Sequence, residues 1–319
     1  MKSALASSRE TGDGFQSGTL VHPKALMAIQ SLELRARVVV EGFWHGMHRS
    51  PYHGFSVEFT EYRQYSPGDD PRYLDWRLYA RSDRYYLKKY EDETNLRCNL
   101  LVDNSRSMTY GSVGYHKAQY ANTLAATLAR FLAQQGDAVG LITFDEQVRE
   151  YLPARQRRGH LRHLMLALEK PPVGNSTDLD APLTRALQLY RRRGAVVLIT
   201  DLLAPVDKLE KNLTALVASG HEAVLFQILD PAEVSFTFDK AALFHDVESG
   251  RDLYIDPAQA RKNYLARFKQ HNEAVDVICR KLGIIRERVA TDRPLELALF
   301  DFLRARMGLG KIRARASRA

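Results

Sequence analysis

The chain has 319 residues, 45% of them hydrophobic, which fills the core of one large domain or two ordinary ones and excludes a disordered chain. Residues 1–18 are rich in Ser and Gly with no apolar core of a signal peptide, and the longest apolar runs are strand-length, short of the roughly 20 residues that a membrane span needs. A cytoplasmic protein with no membrane span is expected. The net charge of +8 suggests nucleic acid only until it is located: six basic and no acidic residues occur from Arg304 onward, so most of the excess sits in a tail, and a solvated end is expected there.

In chain order, residues 1–20 are expected to be disordered and 21–95 to form a region of helix, loop and strands. Leu26, Ile29, Leu32 and Ala36 recur at helical spacing after His22-Pro23, predicting a helix to about Glu41. Gly42 to Gly54 then reads as an irregular loop, and its histidines His45, His48 and His53 lack the Cys or carboxylate spacing of a metal site, so packing or a contact surface is expected. Residues 55–59 alternate as a strand does. Between Glu61 and Glu93 aromatics mix with seven basic and eight acidic residues, a balance that gives no cationic field for nucleic acid.

From Leu96 to about residue 303 strands and helices alternate, which predicts an α/β domain with a doubly wound, mostly parallel sheet, followed by a basic tail over 304–319. Expected strands are Leu96 to Val102, Ala138 to Phe144, Ala195 to Thr200 and Ala223 to Leu229; a tight turn at Asp145-Glu146-Gln147 adds an antiparallel edge strand at 148–152. One more sheet element is expected before a helix over about 257–281. Cys98 falls on a buried strand and Cys279 on a helix, as reduced thiols.

The first strand of this domain runs into Asp103-Asn104-Ser105-Arg106-Ser107, a carboxylate followed by hydroxyls at alternate positions. Three hard oxygens on one turn suit Mg²⁺, with Mn²⁺ or Ca²⁺ as substitutes, although the same residue types also cap helices. Asp201 ends a second strand, and Thr177 lies on the loop 173–179 between the two. Ligands of open parallel sheets lie beyond the carboxyl ends of the strands, and two carboxylates meeting there repel unless a cation joins them, so the metal reading is favoured over capping.

Asp103, Ser105, Ser107, Thr177 and Asp201 together resemble the metal-ion-dependent adhesion site of von Willebrand factor A-type domains. Upstream, Tyr65 to Arg81 resembles the signature of the bacterial family catalogued as domain of unknown function fifty-eight, Tyr-x-Pro-Gly-Asp-Asp-x-Arg-x-x-Asp-Trp-x-x-x-Ala-Arg. Pro67, Gly68, Asp69, Asp70, Arg72, Asp75, Trp76 and Arg81 carry it here. The resemblance implies an A-type domain preceded by an N-terminal α+β extension, a Mg²⁺ site, and a MoxR-type AAA+ ATPase or its client protein as partner. A non-catalytic adaptor for protein assembly is the expected function.

The alternative is a metal-dependent hydrolase or phosphotransfer enzyme using Asp103. A haloacid-dehalogenase-type site would want a second Asp where Ser105 stands, and Gly310-Lys311 is followed by Ile312 rather than the hydroxyl of a P-loop. A third reading, nucleic-acid binding through the tail and Arg155, Arg157, Arg158 and Arg162, requires affinity that falls steeply with salt.

Overall fold

The computed structural model describes residues 20–49, 61–64, 79, 85–89, 96–171, 179–190, 192–237, 242–245, 252–255 and 257–304. The chain divides into two compact units, residues 1–14 with 49–95 and residues 15–48 with 96–319. In the first, β1 (Glu61–Gln64) pairs antiparallel with β2 (Tyr86–Lys89), Glu61 opposite Lys89. The Tyr79 ring stacks on Tyr85 with centroids 4.5 Å apart. The expected strand at 55–59, the eight signature residues, the N-terminal 19 residues and the tail beyond Arg304 lie outside the described residues.

The second unit begins with α1 (Pro23–Met27) and α2 (Leu32–Arg49), where a single helix to about Glu41 was expected. The break falls at Ser31, whose Oγ accepts from Leu34 N at 3.3 Å and starts the second helix. α2 also continues through Gly42 and Gly46, where the glycines predicted a loop. Tertiary packing overrides their cost of about 1 kcal/mol each: Phe43 is fully buried, and Phe43 and Trp44 both meet the Phe131 ring, at 5.8 and 5.6 Å. His45 Nδ1 lies 2.7 Å from Glu41 O one turn back, a contact within the helix.

The central sheet has six strands in the order β10-β7-β6-β3-β4-β5. β3 (Arg97–Asp103), β4 (Ala138–Phe144), β6 (Ala195–Thr200) and β7 (Glu222–Leu229) are almost wholly buried, as near-continuous apolar strands must be when helices cover both faces. Successive residues alternate between two cores: Cys98, Leu100 and Val102 face one with α2 and α3 (Lys117–Gln134), and Leu101 faces the other with α5 (Asp180–Leu189), α6 (Val206–Ala218) and α8 (Pro257–Leu282). The remaining elements are β5 (Val148–Arg155), α4 (His160–Leu168), α7 (Pro231–Ser235), a hairpin of β8 (Ala242–His245) with β9 (Asp252–Ile255), and β10 (Ile285–Ala290).

All neighbours in the large sheet run parallel except β4 and β5, the expected antiparallel edge. The additional sheet strand follows the long helix instead of preceding it. A parallel neighbour of β7 needs a crossover, and α8 is that crossover, whereas β8 and β9 form their own small sheet. Both cysteines are buried thiols outside any disulfide.

β5 carries Pro153 opposite a register shift between Val139 and Leu141, a place where an edge strand tolerates the missing N–H. Gly140 sits in that shift. A Cβ there would lie 2.6 Å from Asn99 Oδ1 and 2.7 Å from Ala154 N, so Gly140→Ala is expected to destabilise by about 1–3 kcal/mol through overpacking, measured as a lower urea midpoint with unchanged slope.

Candidate metal centre

From β3 the chain moves outward through β4 to β5, then returns to the other side of β3 to build β6, β7 and β10. The order therefore reverses between β3 and β6, and their carboxyl ends open the crevice where such sheets bind ligands. Asp103 is the last residue of β3, and Asp201 directly follows Thr200 at the end of β6; both are fully buried.

Local chemistry fixes the first loop. Asp103 Oδ1 accepts from Ser105 N at 2.8 Å, a side-chain turn, while Thr200 Oγ1 donates to Asp103 Oδ2 at 2.5 Å across the strand pair. Asn104 N donates to Phe144 O at 2.7 Å and ties the loop to β4. A short 3₁₀ turn, Arg106–Thr109, follows with Ser105 at its N-cap position, yet the Ser105 side chain makes no capping bond. Its Oγ lies 3.1 Å from Ser107 Oγ instead. Asp201 also caps no helix: α6 begins at Val206 behind Pro205, and Asp201 Oδ1 accepts from Leu203 N at 3.3 Å. The capping alternative thus fails at both residues.

The turn after β6 is held tightly. Leu202 has φ +57°, a conformation that costs a non-glycine residue on the order of 1 kcal/mol or more, and its side chain is fully buried. His271 Nε2 lies 2.8 Å from Leu202 O, and Gln227 Nε2 donates to Asp201 O at 2.9 Å. Gln227 in turn accepts from Arg286, which donates to Asp276 Oδ1 at 2.7 Å, so β7, β10 and α8 all fix the Asp201 backbone.

Lys117, the first residue of α3, was not singled out by sequence. It is fully buried, and its Nζ lies 3.0 Å from Asp201 Oδ2 and 2.6 Å from Glu233 Oε1. A cation at a helix amino end opposes the helix dipole, and here the two carboxylates offset that cost. Burial pulls the Lys117 ammonium down, but Asp201 and Glu233 outweigh it and hold the pKa above its ordinary value. Burial pushes the Glu233 carboxyl up against the opposing pull of Lys117. Glu233 belongs to the capping box of α7: its Oε2 accepts from Asp230 N at 2.9 Å, while Asp230 accepts from Ala232 N and from Ser112 N, each at 2.8 Å.

Asp103 is raised above the usual carboxylate range, first by burial and then by the charge of Asp201. Lys117 thus leaves negative charge uncompensated at the strand ends, which fits a divalent cation. The hydroxyls are essential to any such ligand set, because among the described residues no three His, Cys, Asp or Glu side chains form one. The structure brings Asp103, Ser105, Ser107 and Asp201 to one end of the sheet; Thr177 lies outside the described residues.

A mostly parallel, doubly wound sheet with one antiparallel edge, preceded by an N-terminal α+β extension, makes this a von Willebrand factor A-type α/β fold. The chain belongs to the family described as "Protein of unknown function DUF58", whose profile matches residues 61–274. It is 30% identical over 295 residues to uncharacterized proteins of Mycobacterium bovis and Mycobacterium tuberculosis, covering 91% of this chain and 92% of each relative. Among solved structures it is similar to the conserved hypothetical protein BatB of Bacteroides thetaiotaomicron, at 16% identity and TM-score 0.47 over 68% of this chain and 99% of that one. It is also similar to the SpRpn10 VWA domain, at 13% identity and TM-score 0.39 over 65% and 94%. No helix among the described residues is long and apolar enough to cross a membrane.

Proposed function

We propose that this chain is a non-catalytic adaptor that binds an acidic group of a partner protein at a divalent-cation site formed by Asp103, Ser105 and Ser107, with Asp201 supplying charge and Thr177 a further hydroxyl. The observation that carries the reading is the pair of buried strand-end carboxylates, Asp103 and Asp201, beside the Ser105 and Ser107 hydroxyls, whose Oγ atoms lie 3.1 Å apart. Mg²⁺, or Mn²⁺ or Ca²⁺ in its place, would supply an open hard coordination position suited to an incoming carboxylate. Asp201 is already shared with Lys117, so direct ligation falls to Asp103 and the two serines. Leu203, two residues after Asp201, is 47% exposed and offers apolar contact beside the site.

The family resemblance makes a MoxR-type AAA+ ATPase, or a client that it helps to assemble, the partner class. The test is the affinity of the full chain for such an ATPase from the same genome, nucleotide-free, with Mg²⁺ or with chelator. At least tenfold weakening by chelator and by Asp103→Asn is expected. Unchanged affinity in both sinks the reading, and phosphatase or esterase turnover that vanishes in Asp103→Asn would replace it with the hydrolase.

A further inference from the structure

We infer that a second binding site, independent of the metal centre, takes a small ligand carrying a phosphate or carboxylate group at the opposite end of the central sheet. A cavity of about 530 Å³ opens there between β5, the carboxyl end of α5 and the first residues of β3, within the size range of small-molecule sites. Arg97 and Asn99, its floor, lie six and four residues before Asp103, roughly 20 and 13 Å along the strand at ~3.3 Å per residue.

The lining has one sign of charge. Arg97, Arg185 and Arg192 contribute guanidinium groups, and among the described residues no carboxylate lines the cavity. Arg97 Nη1 donates to Ala154 O at 3.2 Å and Arg185 Nη1 to Gln188 Oε1 at 3.1 Å, neutral acceptors that orient the forks without neutralising them. Three guanidinium groups lining one cavity, with no counter-charge among the described residues, are matched by an anion, and their planar forks suit the paired oxygens of phosphate or carboxylate.

Two polar groups strengthen the assignment independently of charge. Asn99 is only 5% exposed and presents an amide on the floor of the cavity. The Tyr190 hydroxyl is buried with no hydrogen-bond partner among the described residues. Buried polar groups are seldom left unsatisfied, and both residues line this cavity. Burial pushes the Tyr190 hydroxyl well above its ordinary value, so it stays a neutral donor. Gly140 belongs to the same construction, since a side chain there would strike Asn99 Oδ1 and Ala154 N.

A compact ligand is favoured over a nucleic-acid strand because Arg155, Arg157 and Arg158 line a separate cavity of about 330 Å³ that Asp137 also lines. The probes are inorganic pyrophosphate and citrate, titrated calorimetrically into the full chain at constant ionic strength with chelator present. Saturable one-site binding of either probe is expected, weakened at least tenfold by Arg185→Ala combined with Arg192→Ala and unchanged by Asp103→Asn. Pyrophosphate without citrate identifies phosphate as the recognised group, and the reverse identifies carboxylate. Both arginines are surface residues, and Asn99→Leu serves as the second variant, expected to weaken the same probe. Absence of saturable binding, equal binding by the arginine variant, or binding confined to a single-stranded oligonucleotide overturns the inference.

Discussion

Lys117→Met is expected to destabilise the native state by about 3–5 kcal/mol, the range for breaking a buried ion pair from one side. Methionine keeps nearly the length and volume of the lysine stem, so the packing of α3 survives while the ammonium is lost. That ammonium is fully buried between Asp201 and Glu233, at 3.0 and 2.6 Å, and neither carboxylate has another cation within ion-pair distance among the described residues. Removing it leaves the fully buried Asp201 carboxylate and the partly buried Glu233 carboxylate without a counter-charge near Asp103. Urea denaturation with chelator present measures the loss as a lower midpoint. Adding Asp201→Asn and Glu233→Gln to Lys117→Met should recover most of it, because a buried pair replaced on both sides is often neutral. A loss below about 1 kcal/mol in the single variant, within the range of ordinary exposed pairs, would show that water reaches and screens these carboxylates.

What the sequence made readable follows from the periodicity of each segment. β3, β4 and β6 are apolar runs ending at polar residues, and a parallel strand buried on both faces has no other appearance, so the two ends carrying Asp103 and Asp201 could be located directly. β10 reads Ile-Arg-Glu-Arg-Val-Ala and was not recognised as a sheet strand, because its edge position leaves Arg288 exposed and because Arg286 is buried by partners, Gln227, Asn272 and Asp276, that only the fold supplies. The helical stretch through Gly42 and Gly46 depends on Phe131, about ninety residues away, which local propensity does not register. Lys117 was invisible for a related reason: a lysine opening a helix reads as a solvated charge until the fold brings Asp201 and Glu233 to it. The ligand contribution of Thr177 lies outside the described residues, so the candidate shell rests on Asp103, Ser105, Ser107 and Asp201.

Adding Mg²⁺ or Mn²⁺ at about one hundred times its dissociation constant is expected to stabilise the wild-type chain by roughly 2.7 kcal/mol, a rise in melting temperature of roughly 5–11 °C for a domain of this size. Asp103→Asn should abolish that rise. The amide can still accept from Ser105 N and donate to Thr200 Oγ1, so both bonds that shape the loop are kept while the charge is removed. Without metal the variant should therefore be no less stable than wild type, and more stable to the extent that burial and Asp201 disfavour the Asp103 carboxylate. A substitution that leaves the apo protein intact or improves it, yet erases the response to cations, separates a ligand from a structural residue, because a structural carboxylate would lower the apo melting temperature. Scanning calorimetry of both proteins, with chelator and across a cation titration, measures the two effects together. An equal shift in Asp103→Asn, or no wild-type shift with Mg²⁺, Mn²⁺ or Ca²⁺, would leave Lys117 as the only cation this cluster needs.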